Sequence, residues 1–235
     1  MNHPDLPPNR HPAPPLYALS RLTIGGVLRC CWRPSVDGLA HVPRTGGAIL
    51  ASNHLSVADE LFLAAVVPRH VAFWAKAEYF SGTGLRGRLT RAAVNGMGAI
   101  RVERGGGRAA LAAFDAAVPV LRAGGLVAAF PEGTRSPDGR LYRGRTGVIR
   151  LARQSGVPII PVGVLGTGDV QPIDARFPRL GKVSLRFGEP LEVAGRIDGP
   201  AAIRAATDEL MARIQRLTGQ QYVPHYAPSR DAEQR

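Results

Sequence analysis

His54 and Asp59 stand five positions apart in the segment Asn53-His54-Leu55-Ser56-Val57-Ala58-Asp59-Glu60. On one continuous helix that spacing places the two side chains about 140° apart, too far to pair. They meet if His54 lies in a turn and Asp59 in the first turn of a helix, where the helix dipole also favours a carboxylate. An imidazole held in one tautomer by a carboxylate is a general base for a hydroxyl or a water. The plainer alternative is a polar turn in which Ser56 or Asp59 caps a helix. No serine sits in a Gly-x-Ser-x-Gly elbow and neither cysteine is near a histidine in sequence, so no nucleophile accompanies the pair. A base without a nucleophile points to activation of the substrate's own hydroxyl. His3, His11, His41, His54, His70 and His225 are scattered, with no pair at metal-ligand spacing, so no metal is expected.

A second polar cluster, Phe130-Pro131-Glu132-Gly133-Thr134-Arg135-Ser136, follows an apolar run. It combines a glycine, a hydroxyl, a carboxylate and a guanidinium: the parts of a phosphate cradle, with Arg135 as the fork and Glu132 as its orienter. A third, Gly82-Thr83-Gly84-Leu85-Arg86-Gly87, fits Gly-x-Gly-x-x-Gly and leaves a dinucleotide enzyme conceivable. It does not follow the first strand, however, and a flexible glycine loop is the simpler reading.

These residues need a scaffold. Short apolar runs at 47–52, 70–75, 98–102, 125–130, 158–165 and 182–187 alternate with helical stretches at 59–67, 107–122, 147–154 and 201–217. That alternation predicts an α/β fold, a single domain with a mostly parallel central sheet flanked by helices. Pro119 should kink or shorten the second helix. Asn53-His54, Arg104 and Glu132–Arg135 then all follow strands directly, at the carboxyl edge where open parallel sheets bind ligands.

Flanking the domain, residues 1–15 form a proline-rich arm too poor in large apolar side chains to order, and 16–33 an apolar, interfacial helix. The domain itself is expected over 34–222, with 223–235 as a tail. The stretch from Leu16 to Trp32 carries Arg21 and Arg29 and falls short of the ~20 apolar residues that a bilayer requires. Its leucines could cover lipid, with the two arginines snorkelling to headgroups, or pack as an ordinary core helix. Adjacent Cys30 and Cys31 cannot build a disulfide framework, which suggests a reducing compartment. The net charge of +12 is almost wholly arginine, since Lys76 and Lys182 are the only lysines. Arginine forks suit phosphate oxygens, whether on an anionic membrane, a substrate or a nucleic acid. With aromatics at 6% and no recognition helix, zinc site or aromatic platform, nucleic acid is the least favoured of these.

Taken in order, four segments resemble the blocks of the glycerophosphate and lysophosphatidate acyltransferase superfamily. Asn53-His54 with Asp59 looks like its His-x4-Asp block, and Gly98-Ala99-Ile100-Arg101-Val102-Glu103-Arg104 like its second. Phe130 to Ser136 matches the third, and Val157-Pro158-Ile159-Ile160-Pro161-Val162 resembles the fourth. The resemblance implies direct acyl transfer from acyl-CoA or an acyl-carrier-protein thioester to a lysophospholipid hydroxyl, with no further cofactor and no acyl-enzyme. His54 would be the base and Asp59 its orienter, with Asn53 and Ser56 in support. Arg104 and Arg135 would bind the acceptor phosphate beside Glu132, Gly133 and Thr134, and Pro158 and Pro161 would shape the acyl site. The expected acceptor is 1-acylglycerol 3-phosphate, giving phosphatidate, but Arg101 departs from the aromatic or aliphatic residue usual in the second block, which keeps glycerol 3-phosphate and a glycolipid as alternatives. The expected setting is peripheral, on the cytoplasmic face of an anionic membrane.

Overall fold

The computed structural model describes residues 14–102, 106–172, 175, 177–193 and 198–228. In chain order the elements are α1 (Pro15–Trp32), β1 (Ser35–Asp37), a 3-10 turn (Leu39–His41), β2 (Ala48–Ser52), α2 (Ala58–Val66), β3 (Val71–Ala72) and β4 (Trp74–Lys76). There follow α3 (Glu78–Ser81), α4 (Gly84–Gly96), β5 (Ile100–Val102), α5 (Gly106–Arg122), β6 (Leu126–Ala129), β7 (Leu141–Tyr142) and α6 (Gly147–Ser155). The last are β8 (Ile159–Leu165), α7 (Thr167–Val170), β9 (Ser184–Phe187), α8 (Gly199–Thr218) and β10 (Tyr222–Val223).

Six strands form the central sheet in the order β1-β9-β8-β2-β6-β3, parallel throughout except between β8 and β9. Both faces are covered, which is why β2, β6 and β8 read as nearly unbroken apolar runs. Ile49, Ala51, Val127 and Ile159 pack against α5, α6 and α8 on one face, in a core with Leu121, Ile149, Leu210 and Ile214. Ala48, Leu50, Leu126 and Ile160 pack on the other with Phe62 and Leu63 of α2. The neighbouring strands β2 and β6 therefore send the chain to opposite faces, α2 to one and α6 to the other. In open α/β sheets such divergence is where a ligand crevice forms, at the carboxyl ends of the strands.

The run at 98–102 was expected within this sheet and is not. The chain leaves β6 after Ala72, and β4 pairs in parallel with β5 in a separate two-stranded ladder, from Trp74↔Ile100 to Lys76↔Val102. A side chain replaces the lost backbone pairing: Trp74 Nε1 donates to the Ala128 carbonyl at 2.9 Å, while its ring meets Phe114 edge-on. Pro119 does not shorten α5, which runs on to Arg122, where Ala123 N–H still reaches the Pro119 carbonyl at 3.0 Å. The buried face of Ala117, Val118 and Leu121 compensates for the backbone bond that proline cannot make. The Gly82–Gly87 segment is no phosphate loop after a strand. It joins α3 to α4, where a Cβ on Gly82 would lie 2.9 Å from the Gly87 Cα, so the glycines serve a close backbone crossing.

Residues 223–227, expected as a tail, are held to the domain. Arg143 N–H donates to the His225 carbonyl at 3.0 Å, and Ala227 is buried against Tyr142 and Val223.

Helix α1 lies along α2 with opposite direction. Tyr17 meets His70 edge-on, Gly25 faces Ala65, and Trp32 meets Phe62. Tyr17 is buried and its hydroxyl accepts the Val71 N–H at 3.2 Å. The other side of the helix carries Leu19, Leu22, Ile24 and Val27 in the open. One face of the helix thus packs on the domain, as an ordinary core helix would, and the other is exposed. Arg29 does not snorkel: its guanidinium folds onto α2, donating to the Ala65 carbonyl at 2.7 Å. No described helix is long and apolar enough to cross a membrane.

Trp74→Phe keeps the ring against Phe114 but leaves the Ala128 carbonyl without its donor. The expected loss is about 1 kcal/mol in urea unfolding at an unchanged m-value, and an unaltered midpoint would reject the side-chain substitution for strand pairing.

Candidate active site

The site is built where β2 ends. Asn53 is wholly buried, and its side-chain amide completes the ladder to β8: Nδ2 donates to the Val164 carbonyl and Oδ1 accepts the Val164 N–H, both at 2.8 Å. An asparagine here acts as a peptide group turned sideways, which lets the backbone leave the sheet at His54 without orphaning Val164. The chain then turns through 54–57 into α2. Ser56 Oγ accepts the Ala58 N–H at 3.1 Å and donates to the Gln171 carbonyl at 2.6 Å, capping the helix and tying it to the segment after α7.

This turn brings His54 and Asp59 together as the spacing requires. His54 Nδ1 and Asp59 Oδ2 are 2.8 Å apart, and the same oxygen accepts the N–H groups of Leu55 at 2.7 Å and Ser56 at 2.9 Å. Since a carboxylate oxygen only accepts, the proton of the first bond sits on Nδ1 and the lone pair on Nε2. The Asp59 side chain is fully buried, whereas that of His54 is 15% exposed. Nε2 makes no hydrogen bond among the described residues. The Phe130 ring stacks on the imidazole at 3.8 Å and 14°, fixing its plane.

The turn after β6 is clamped to the turn after β2. Ser136 N–H donates to the His54 carbonyl at 2.7 Å, and Glu132 Oε1 accepts the His54 N–H at 3.1 Å. Glu132 Oε2 accepts the Tyr142 N–H at 2.9 Å, so both of its oxygens serve backbone amides. Glu132 is a buried brace between His54 and β7. Gly133 takes φ +76, and a Cβ there would also press within 3.1 Å of Arg145 Cδ and Nε, so the turn admits glycine for two reasons. Thr134 and Arg135 are half-buried beside it. The charge of Arg135 is felt by Glu60, one residue beyond Asp59.

Two carboxyls here are pushed up to about 7. For Glu132 the cause is burial, opposed by the amide bonds from Tyr142 and His54 and reinforced by Asp59 and Asp138. For Glu60 it is burial and then the neighbouring Asp59 charge, with Arg135 in opposition.

Other expectations fall differently. Arg104 lies outside the described residues. Pro161 is buried level with Ala51, and its carbonyl accepts the Gly188 N–H at 2.8 Å. Pro158 precedes Ile159, which pairs with Ile49. At about 3.3 Å per residue that places Pro158 at the amino edge of the sheet, far from His54. It cannot line a site at the opposite edge, and its carbonyl instead accepts the Ile49 N–H at 3.0 Å. Phe130, Glu60, Tyr142 and Gln171 were not singled out from sequence. Phe130 shares the strand end with Glu132, but no spacing pairs it with His54, and nothing local marks Gln171. Among the described residues no group of His, Cys, Asp or Glu could hold a metal ion.

The Acyltransferase family model matches residues 33–165, more than half of the chain. The chain belongs to the Acyltransferase family. The matched segment holds both turns of the site. Among relatives, the chloroplast 1-acyl-sn-glycerol-3-phosphate acyltransferase of Arabidopsis thaliana is 29% identical over 143 residues, 60% of this chain and 38% of that protein. The 1-acyl-sn-glycerol-3-phosphate acyltransferase of Limnanthes alba is 36% identical over 133 residues, 56% of this chain and 45% of that protein. This chain thus spans less than half the length of either. The crystal structure of the 1-acyl-sn-glycerophosphate acyltransferase PlsC from Thermotoga maritima shares the fold, with a TM-score of 0.61 at 24% identity, over 85% of this chain and 80% of that one.

Glutamine at position 132 can serve one of the two amide donors and presents an NH2 to the other. Glu132→Gln is expected to cost about 1–3 kcal/mol of folding stability. A carboxyl raised in the fold stabilises it below the unfolded value of 4.5 and loses that contribution as pH rises through about 7. The stability gap between wild type and Glu132→Gln should therefore narrow across that window in paired urea titrations, and a gap that widens would contradict the assignment.

Proposed function

We propose that this chain transfers a fatty acyl group from acyl-CoA or an acyl-carrier-protein thioester to the free hydroxyl of 1-acylglycerol 3-phosphate, giving phosphatidate. The observation that carries the reading is the 2.8 Å bond from His54 Nδ1 to Asp59 Oδ2, with Nε2 left open beside a turn containing Arg135. The relatives' names support the same acceptor.

In this mechanism Nε2 takes the proton from the acceptor hydroxyl as its oxygen attacks the thioester carbonyl. The imidazolium so formed is stabilised by Asp59, and Nε2 then gives the proton to the departing thiolate as the carbon–sulfur bond breaks. No protein atom is acylated. Phe130 and the Asp59 bond hold the ring plane through both proton transfers. Arg135 provides a planar fork for the acceptor phosphate, and Arg104 a second.

Acceptor and product are amphiphiles that reside in bilayers, so the proposed place of work is an anionic membrane surface on the cytoplasmic side. The exposed Leu19, Leu22, Ile24 and Val27 of α1 give the protein an apolar surface for it.

His54→Ala should fold normally and lose about 10²- to 10⁴-fold in turnover, and Asp59→Asn should be severely impaired because the tautomer is released. Arg135→Lys should weaken a phosphate-bearing acceptor, since an ammonium cannot reproduce a bidentate contact. Product identification by mass spectrometry over a panel of lysophosphatidate, glycerol 3-phosphate and glycolipid acceptors tests the substrate. Near-wild-type turnover by folded His54→Ala, or an acyl adduct on the intact protein after incubation with donor alone, would overturn the mechanism.

A further inference from the structure

A cleft of about 340 Å³ opens between the first half of α1 and the turn before β3. Its lining includes Tyr17, Arg21, Leu22, Arg29, Arg69 and His70 and, among the described residues, no carboxylate. The size suits a small ligand or headgroup. The three guanidinium groups are held in different ways. Arg69 straps loops together through the carbonyls of Pro43, Gly46 and Gly124. Arg29 lies across to Ala65, with a second, longer bond of 3.4 Å to the Arg21 carbonyl. Arg21 is the exception: its Nε is buried yet has no hydrogen-bond partner among the described residues. A buried charged donor left unmade is costly, and the group that would complete it is an oxygen bearing negative charge. Three like charges around one concavity, with no acid lining it among the described residues, favour the same occupant.

What lies beside the cleft selects among anions. Leu22, itself part of the lining, is 73% exposed, and Leu19 at 55% and Val27 at 57% extend the same apolar side of α1. A phosphate seated on Arg21 would have hydrocarbon next to it.

We propose that this cleft takes the phosphate of an anionic phospholipid headgroup, with Arg21 as the fork, while the apolar side of α1 enters the interface. The inference rests on the membrane-docking reading above and adds a built site to it. The cleft is separate from the catalytic edge. Because α1 runs against α2, Tyr17 and Arg21 stand at the amino edge of the sheet and Trp32 nears the edge where His54 lies. The 18 residues of α1 span about 27 Å at 1.5 Å per residue. A headgroup held at one end would fix how the helix lies on the membrane, and so which way the other end presents the catalytic crevice.

The test is sedimentation of the full chain with phosphatidylcholine vesicles made with and without phosphatidylglycerol. Four proteins are compared: wild type, Arg21→Gln, Arg21→Lys and Arg216→Gln. Arg216 is exposed on α8, across the sheet from α1, and its loss changes net charge equally. Arg21→Gln is expected to lose about five- to tenfold in apparent affinity for the anionic vesicles, with melting temperature and neutral-vesicle binding unchanged. Arg21→Lys should lose less and Arg216→Gln little. Equal losses in Arg21→Gln and Arg216→Gln would mean diffuse charge and overturn the cleft. Wild type that binds both vesicles equally rejects the cleft and leaves docking standing, whereas wild type that binds neither rejects both. If inorganic phosphate raises the melting temperature through Arg21 while vesicle binding ignores it, the cleft takes a free anion and the lipid assignment fails.

Discussion

Asp59 is a carboxylate with no exposed surface, and such a group persists in a fold only where hydrogen bonds offset its desolvation. It takes three on one oxygen, from the imidazole of His54 and the amides of Leu55 and Ser56. These bonds force the turn that separates β2 from α2, and the turn puts the imidazole at the carboxyl edge. The other oxygen, Oδ1, is buried without a partner among the described residues, so the negative charge is concentrated on the side that faces His54. Replacing the carboxylate would therefore disturb the helix start as well as the base. Structure and chemistry share one set of bonds.

The surrounding turn obeys the same constraint at one remove. Glu132 is as buried as Asp59 and is likewise held by backbone amides, one of them from His54 itself. Two carboxyls pushed up to about 7, Glu60 and Glu132, flank Asp59, and each feels its charge. Burial is the first cause in both, and the neighbouring Asp59 charge adds to it.

Much of this was legible before any coordinates. The apolar runs of β2, β6 and β8 mark buried parallel strands, and the His54–Asp59 spacing forbids one continuous helix while allowing a turn followed by a helix start. The misreadings have physical causes. The run ending at Val102 is as apolar as a central strand, but apolarity does not report which ladder a strand joins, and Trp74 supplies from its side chain a bond that no periodicity reveals. The sequence carries no sign that His54 and Tyr142 would present amides to both oxygens of Glu132. Pro158 and Pro161 occupy one motif, yet three residues of extended chain put them at different depths of the sheet. The Phe130 stack and the Gln171 contact are purely tertiary and have no local signature.

The central claim is that Asp59 holds His54 with its proton on Nδ1 and its lone pair on Nε2. Long-range nitrogen–proton correlation spectra of protein labelled with 15N histidine read this directly, with His54 assigned by difference from a His54→Gln sample. The account predicts that the neutral form of the His54 ring carries its proton on Nδ1 and leaves Nε2 unprotonated. A ring whose neutral form carries its proton on Nε2 would contradict it, because neither the Asp59 bond nor the general-base role could then stand.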